Sequence, residues 1–202
     1  MTRLLLVVPC VLVLVMPACA QPLAPSPPIG LHVTDRASCV LVAGQSNADL
    51  LYPHLTFPQT VSAAMPNQPI RYWDVGNSGW SRIEQAMSAC AVSTVVWWQG
   101  ESDARDNTVM GYEWALWNLA MRINGVYPIR QFVVVGLLDP PAWDAEIGTR
   151  YDMIRQQQRD FVARWSGAMY LDTRGVPLDS STWHATEGGY SDVAARLAIL
   201  IR

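Results

Sequence analysis

Apolar residues follow two alternating patterns along the chain. Val-rich runs bounded by turn residues lie at 39–43, 93–98 and 131–138, with a shorter run at 168–171 and a weaker one at 70–75. Continuous apolar runs of this length predict strands buried on both faces. The stretches between them keep helical spacing. Residues 108–124 are good helix formers, with Asp106 or Asn107 as a cap and Gly125 as a stop. Tyr151, Ile154, Phe161 and Trp165 share one helical face, broken by a polar gap at 156–158. Tyr190, Val193, Ala194, Leu197 and Ile201 recur at three- and four-residue spacing and predict a final amphipathic helix. Five strands alternating with helices predict an α/β fold with a five-stranded parallel sheet covered on both faces. In such sheets ligands bind beyond the carboxyl ends of the strands.

The first residues follow a different pattern. Arg3 precedes an apolar stretch at 4–16, interrupted only by Pro9 and Cys10, and Ala18-Cys19-Ala20 offers a small-x-small cleavage site. This predicts a signal peptide over 1–20, because a membrane span needs about 18 or more apolar residues. Met16-Pro17-Ala18-Cys19 also resembles a degenerate lipoprotein site, which would leave a lipid anchor on Cys19. Four prolines at 21–28 make 21–30 an extended linker, and the folded domain occupies 31–202. The expected location is therefore outside the cytoplasm, periplasmic or secreted. Cleavage after Ala20 leaves Cys39 and Cys90. In an oxidising compartment they are expected to form a disulfide, the other reading being two buried thiols.

Composition narrows the chemistry. Of 202 residues, 50% are hydrophobic and 15% charged, which fits a folded domain. A net charge of −3 gives no reason to expect a nucleic-acid partner. All 14 basic residues are Arg, so Schiff-base, Ser–Lys and P-loop chemistries lack the amine they need. No CxxC, HExxH or His-rich cluster is present, and no metal site is expected.

Several residues capable of chemistry fall just after the predicted strands. Ser46, in Gly44-Gln45-Ser46-Asn47, follows the first strand, where a lone Ser would ordinarily cap a helix. Gln99 follows the third strand in Trp98-Gln99-Gly100-Glu101-Ser102-Asp103, where its amide could donate to an oxyanion or cap the next helix. Gly76 and Gly79 lie after the weak second strand and are turn residues or backbone donors. His184 precedes the last helix, on the edge where a base must lie to reach Ser46. His32, near the linker, and His54, after Pro53, are poorer candidates. Trp80 and Trp183 flank these blocks as either sugar platforms or core, while Trp98 ends an apolar strand and reads as core.

Taken in order, Gly44-Gln45-Ser46-Asn47, the Gly79 region, the Gln99 block and His184-x-Thr-x-x-Gly-Tyr resemble the sequence blocks of SGNH hydrolases. The nearest branch is that of sialate O-acetylesterases and acetylxylan esterases, and the resemblance runs from Gly44 to Tyr190. It implies a flavodoxin-like three-layer sandwich around the five-stranded sheet and hydrolysis of acetyl esters, often on sugars, and assigns no cofactor. It implies Ser46 as nucleophile and His184 as base, with Gln99, Gly79 and the Ser46 N–H as oxyanion donors. One position departs from the pattern. The Asp expected three residues before the His is Ser181 here, and Asp179 lies five residues before it. Asp179 is expected to orient His184. Asp172, or a dyad with a backbone carbonyl, remains open. Two other functions stay in view: a lipid or aryl esterase, and an inactive sugar-binding module on the same scaffold.

Overall fold

The computed structural model describes residues 37–140, 145–179 and 182–201. The expected signal peptide, linker and lipid site at Cys19, and Ser181, lie outside the described residues. Five parallel strands form one sheet in the order β2-β1-β3-β4-β5. They are β1 (Ser38–Gly44), β2 (Thr60–Ser62), β3 (Ala91–Trp98), β4 (Gln131–Val135) and β5 (Ala168–Leu171). The helices are α1 (Ser46–Leu51), α2 (Ser78–Ala89), α3 (Glu101–Arg105), α4 (Tyr112–Val126), α5 (Ala145–Arg164) and α6 (Glu187–Leu200). Among the described residues no helix is long and apolar enough to cross a membrane.

Alternation along the strands divides the core into two layers. Leu41, Val95, Trp97, Phe132 and Val134 pack with Ile83 of α2, Leu116 of α4 and Phe161 of α5. Val42, Val96, Trp98, Val133 and Val135 pack with Leu51 of α1 and with Val193 and Leu197 of α6. Both faces of the central strands are covered, which is why their sequences read as unbroken apolar runs.

The second strand is not where its apolar run predicted. Residues 70–75 do not join the sheet; Ile70–Trp73 is a single 3-10 turn. Ile70 and Trp73 are three apart and both buried, so their spacing belongs to a tight helical turn rather than to a strand. The actual β2 is a three-residue edge strand, half exposed, with too little apolar content to signal itself. Helix α4 starts four residues after the expected position, behind Gly111 at φ +79°, and continues one residue past Gly125.

Cys39 and Cys90 form a disulfide with Cα atoms 6.1 Å apart. It joins the foot of β1 to the residue that leads into β3, at the end of the sheet opposite the strands' carboxyl termini. Closing a separation of 51 residues contributes about 4 kcal/mol in the chain-entropy picture. A Cys39→Ala/Cys90→Ala double variant is expected to melt roughly 10 °C lower, with the far-UV spectrum of the parent retained below its transition. Thermal unfolding of the two proteins followed by circular dichroism checks both halves.

Candidate active site

Strands β1 and β3 are neighbours, yet the chain leaves β1 for β2 on one side and β3 for β4 on the other. This switch point opens a crevice at the carboxyl ends of the two strands. Gly44 lies level with Trp98 in the ladder, so the segments that follow emerge side by side. Their closeness requires glycine. Gly44 has φ +135°, and a Cβ there would sit 2.0 Å from the Trp98 carbonyl oxygen. The Gln45 N–H donates to that same oxygen at 3.0 Å. Its buried side-chain Oε1 accepts from the N–H groups of Gly100 (3.4 Å) and Ser102 (3.3 Å), tying α1 to α3.

Ser46 opens α1, half-buried, on the wall of a cleft of about 250 Å3. Ala48 and Asp49 make the first bonds to the Gln45 carbonyl, so the N–H groups of Ser46 and Asn47 precede the helical ladder. Asn47 is buried, and its amide joins four parts of the fold. Nδ2 donates to Glu101 Oε1 (2.7 Å) and to the Trp183 carbonyl (3.2 Å), while Oδ1 accepts from the Tyr190 hydroxyl (2.7 Å).

His184 reaches the same cleft on a loop pinched at its base. Leu178 and Ala185 form an antiparallel bridge, Asp179 N–H donates to the His184 carbonyl, and Thr186 N–H donates to the Pro177 carbonyl. The motif around His184 then has a physical reading. Thr186 caps α6 by accepting from Gly189 N–H at 3.1 Å. A Cβ on Gly189 would lie 2.9 Å from the Pro177 carbonyl oxygen. Tyr190 supplies the bond to Asn47.

The structure thus brings Ser46, His184 and Trp183 to one cleft, and Trp183 stacks on the Tyr151 ring at 6.1 Å. Other expected site residues lie elsewhere. Gln99 is 0% exposed, and its Nε2 donates to the Gln68 carbonyl (3.0 Å) and to Asp103 Oδ2 (2.5 Å). It braces the turn beneath the cleft and is not among the residues that line it. Gly79 is buried in α2, where a Cβ would press on the Tyr72 carbonyl and the Trp73 ring. Gly76 occupies a turn at φ +87°. Trp80 is 7% exposed and belongs to the core. Asp179 is exposed and meets His184 through the main chain. Asp172 is held by the Arg174 guanidinium, which lowers its pKa. His54 stacks on Tyr190 and lies 3.5 Å from Glu187, outside the cleft lining.

Sequence reasoning overlooked Glu101 and Ser102, although both stand in a block it singled out. Gly100, at φ +141°, turns the chain so that Gln99 points into the core and Glu101 lines the cleft. Glu101 Oε2 and Ser102 Oγ are buried with no protein hydrogen-bond partner. Desolvation pushes the Glu101 carboxyl up to about 7, against the lowering effect of the Asn47 bond. Burial also raises Asp103, whose oxygens accept from Gln99, the Ile70 N–H and the Thr108 hydroxyl.

Residues 59–201 match the sequence model of a family described as carbohydrate esterase, sialic acid-specific acetylesterase. No curated protein matches the chain by sequence. Among solved structures, a protein from Arabidopsis thaliana is similar at 21% identity over 75% of this chain and 64% of that one, with TM-score 0.59. The aryl esterase of M. smegmatis is similar at 14% identity over 82% of this chain and 99% of that one, with TM-score 0.59. A carbohydrate acetylesterase from Xanthomonas citri is similar at 21% identity over 71% of this chain, with TM-score 0.56. The chain spans less than two thirds of the Arabidopsis protein and 36% of the Xanthomonas one. At these identities the likeness speaks for the fold.

Glu101 carries a stability consequence with a definite sign. Its folded pKa is raised from 4.5 to about 7, so the folded state holds a proton that the unfolded state releases. The resulting penalty is absent below pH 4.5, grows as pH rises, and is complete above pH 7. Glu101→Gln keeps an acceptor for Asn47 and removes that ionisation. It is expected to match the parent at pH 4 and to be more stable by up to about 3 kcal/mol at pH 8. Urea unfolding of both proteins across this range measures the difference, and a pH-independent difference contradicts it.

Proposed function

Because the chain belongs to the sialic acid-specific acetylesterase family of carbohydrate esterases, and is a carboxylic ester hydrolase, we propose that it removes O-acetyl groups from a carbohydrate by acyl transfer through Ser46 and His184. One observation carries the assignment of residues. Ser46 from the start of the fold and His184 from its end line a single cleft at the switch point of the sheet.

His184 accepts the Ser46 proton as Oγ attacks the acetyl carbonyl. The N–H groups of Ser46 and Asn47, ahead of the α1 ladder, face the developing oxyanion; the Ser46 N–H keeps the role expected of it, and Asn47 takes the place expected of Gln99 and Gly79. As the tetrahedral intermediate collapses, the sugar oxygen leaves with the proton from His184. Water then gives a proton to His184 and attacks the acetyl-enzyme, releasing acetate and restoring Ser46. An imidazole suits both transfers because its ordinary pKa lies near neutrality.

Glu101 is the better of the two acids to steady the imidazolium. It lines the cleft, its Oε2 lacks a protein partner, and Asn47 links it to the backbone of Trp183, next to His184. Asp179 is exposed. Trp183 offers a ring to the sugar, with Arg105 and Asn67 on the same lining. The Cys39–Cys90 disulfide and the apolar leader both support action outside the cytoplasm.

Ser46→Ala is expected to reduce hydrolysis of p-nitrophenyl acetate on the order of a thousandfold or more. Undiminished turnover would remove Ser46 as nucleophile and favour a binding role for the cleft. Glu101→Gln is expected to lower kcat by roughly a hundredfold and to exceed the loss in Asp179→Asn. The reverse ranking, read from steady-state kinetics on the same substrate, returns Asp179 to the role.

A further inference from the structure

A second depression, also of about 250 Å3, lies on the flank formed by α4 and α5, between Glu113, Trp114, Trp117 and Arg164. None of these four residues lines the catalytic cleft. We propose that it is a carbohydrate-binding site, holding one pyranose unit of a polysaccharide while the cleft works on another part of the same chain. The choice of a sugar as occupant rests on the carbohydrate esterase reading.

Trp114 is 62% exposed although its helix already buries Leu116, Leu119, Ala120 and Ile123 against the core. Packing does not account for a large ring left in water at that position. Trp117, one turn further on, forms a fixed wall, because its ring is held against Phe161 at 5.4 Å and Trp165 at 5.1 Å. The polar edge is equally set. Arg164 reaches Glu113 Oε1 at 2.5 Å and donates through Nε to the Asp160 carbonyl at 3.3 Å. The Glu113 N–H is anchored on Gln157 Oε1 at 3.1 Å.

The depression therefore offers an aromatic face beside a positioned carboxylate and guanidinium. A pyranose ring presents the complement: C–H groups on one face and hydroxyls at its edge that both donate and accept. Aromatic faces bind such apolar surfaces, and vicinal hydroxyls can satisfy the acid and the base together. A protein surface laid over the same spot would desolvate the ion pair and would need matching polar groups to offset that cost. Holding the polymer here would raise the local concentration of its acetyl groups at the cleft.

The test uses the intact chain with Ser46→Ala, so that turnover does not alter the ligand. Native gels cast with xylan, glucomannan or polysialic acid are expected to retard it in at least one case. Adding Trp114→Ala, or separately Arg164→Gln, is expected to weaken that retardation about tenfold. In the Ser46 protein, Trp114→Ala is expected to leave p-nitrophenyl acetate turnover unchanged while slowing release of acetate from the acetylated polymer. Absence of retardation by all three polymers overturns the proposal, as does retardation that survives both substitutions. A shift from dimer to monomer on Trp114→Ala, seen by sedimentation, also overturns it and makes the flank a subunit interface. Retardation lost on Trp114→Ala, in a protein that cleaves no ester, leaves this site standing and defeats the esterase reading instead.

Discussion

The amide of Asn47 is the interaction on which the cleft depends. Its partners come from α3, from the loop bearing His184 and from α6, and no ladder of secondary structure joins those elements to one another at this point. The amide is buried, so each bond is made in a medium of low polarity where losing it would strand a carboxyl, a carbonyl or a phenol. The Tyr190 ring adds an edge contact to Trp98 at 6.0 Å, which fixes the hydroxyl that Asn47 accepts. Ser46 and His184 share a wall because the residue beside one is tied to the residue beside the other.

That arrangement needs β1 and β3 to end in close contact. Gly44 permits the approach, and Gln45 converts it into a connection by accepting from the first N–H groups of α3. The same turn creates an acid that is hard to ionise. Glu101 is taken out of water in the cleft that Ser46 and His184 also line, and burial pushes its carboxyl up to about 7.

Much of this was legible in the sequence because it lies in periodicity and in motif order. The parallel sheet, the final helix, the Ser46–His184 pairing in one cleft and the Cys39–Cys90 bond follow from patterns that a single chain displays. What escaped depends on where side chains point. Gln99 and Glu101 are both polar and two residues apart, and only the φ of Gly100 decides which faces the cleft. Gly79 looked like a donor loop because the turn at Ile70–Trp73 imitates a strand; once that turn is helical, Gly79 becomes a packing contact. Trp80 follows Gly79 into the core for the same reason. The edge strand β2 carries too few apolar residues to be seen in advance.

The placement of the disulfide also sets an order of assembly. Both of its cysteines, with β1, β2 and α2, lie in the first half of the described fold, whereas His184 and α6 are made last. Chains are synthesised from the amino end, and early segments can begin to organise before later ones exist. The foot of the sheet can thus be covalently locked while the head still lacks the His184 loop and α6. A chain interrupted before that loop would carry the cross-link and Ser46 on an open sheet edge, without the Trp183, His184 and Tyr190 contacts that complete the cleft.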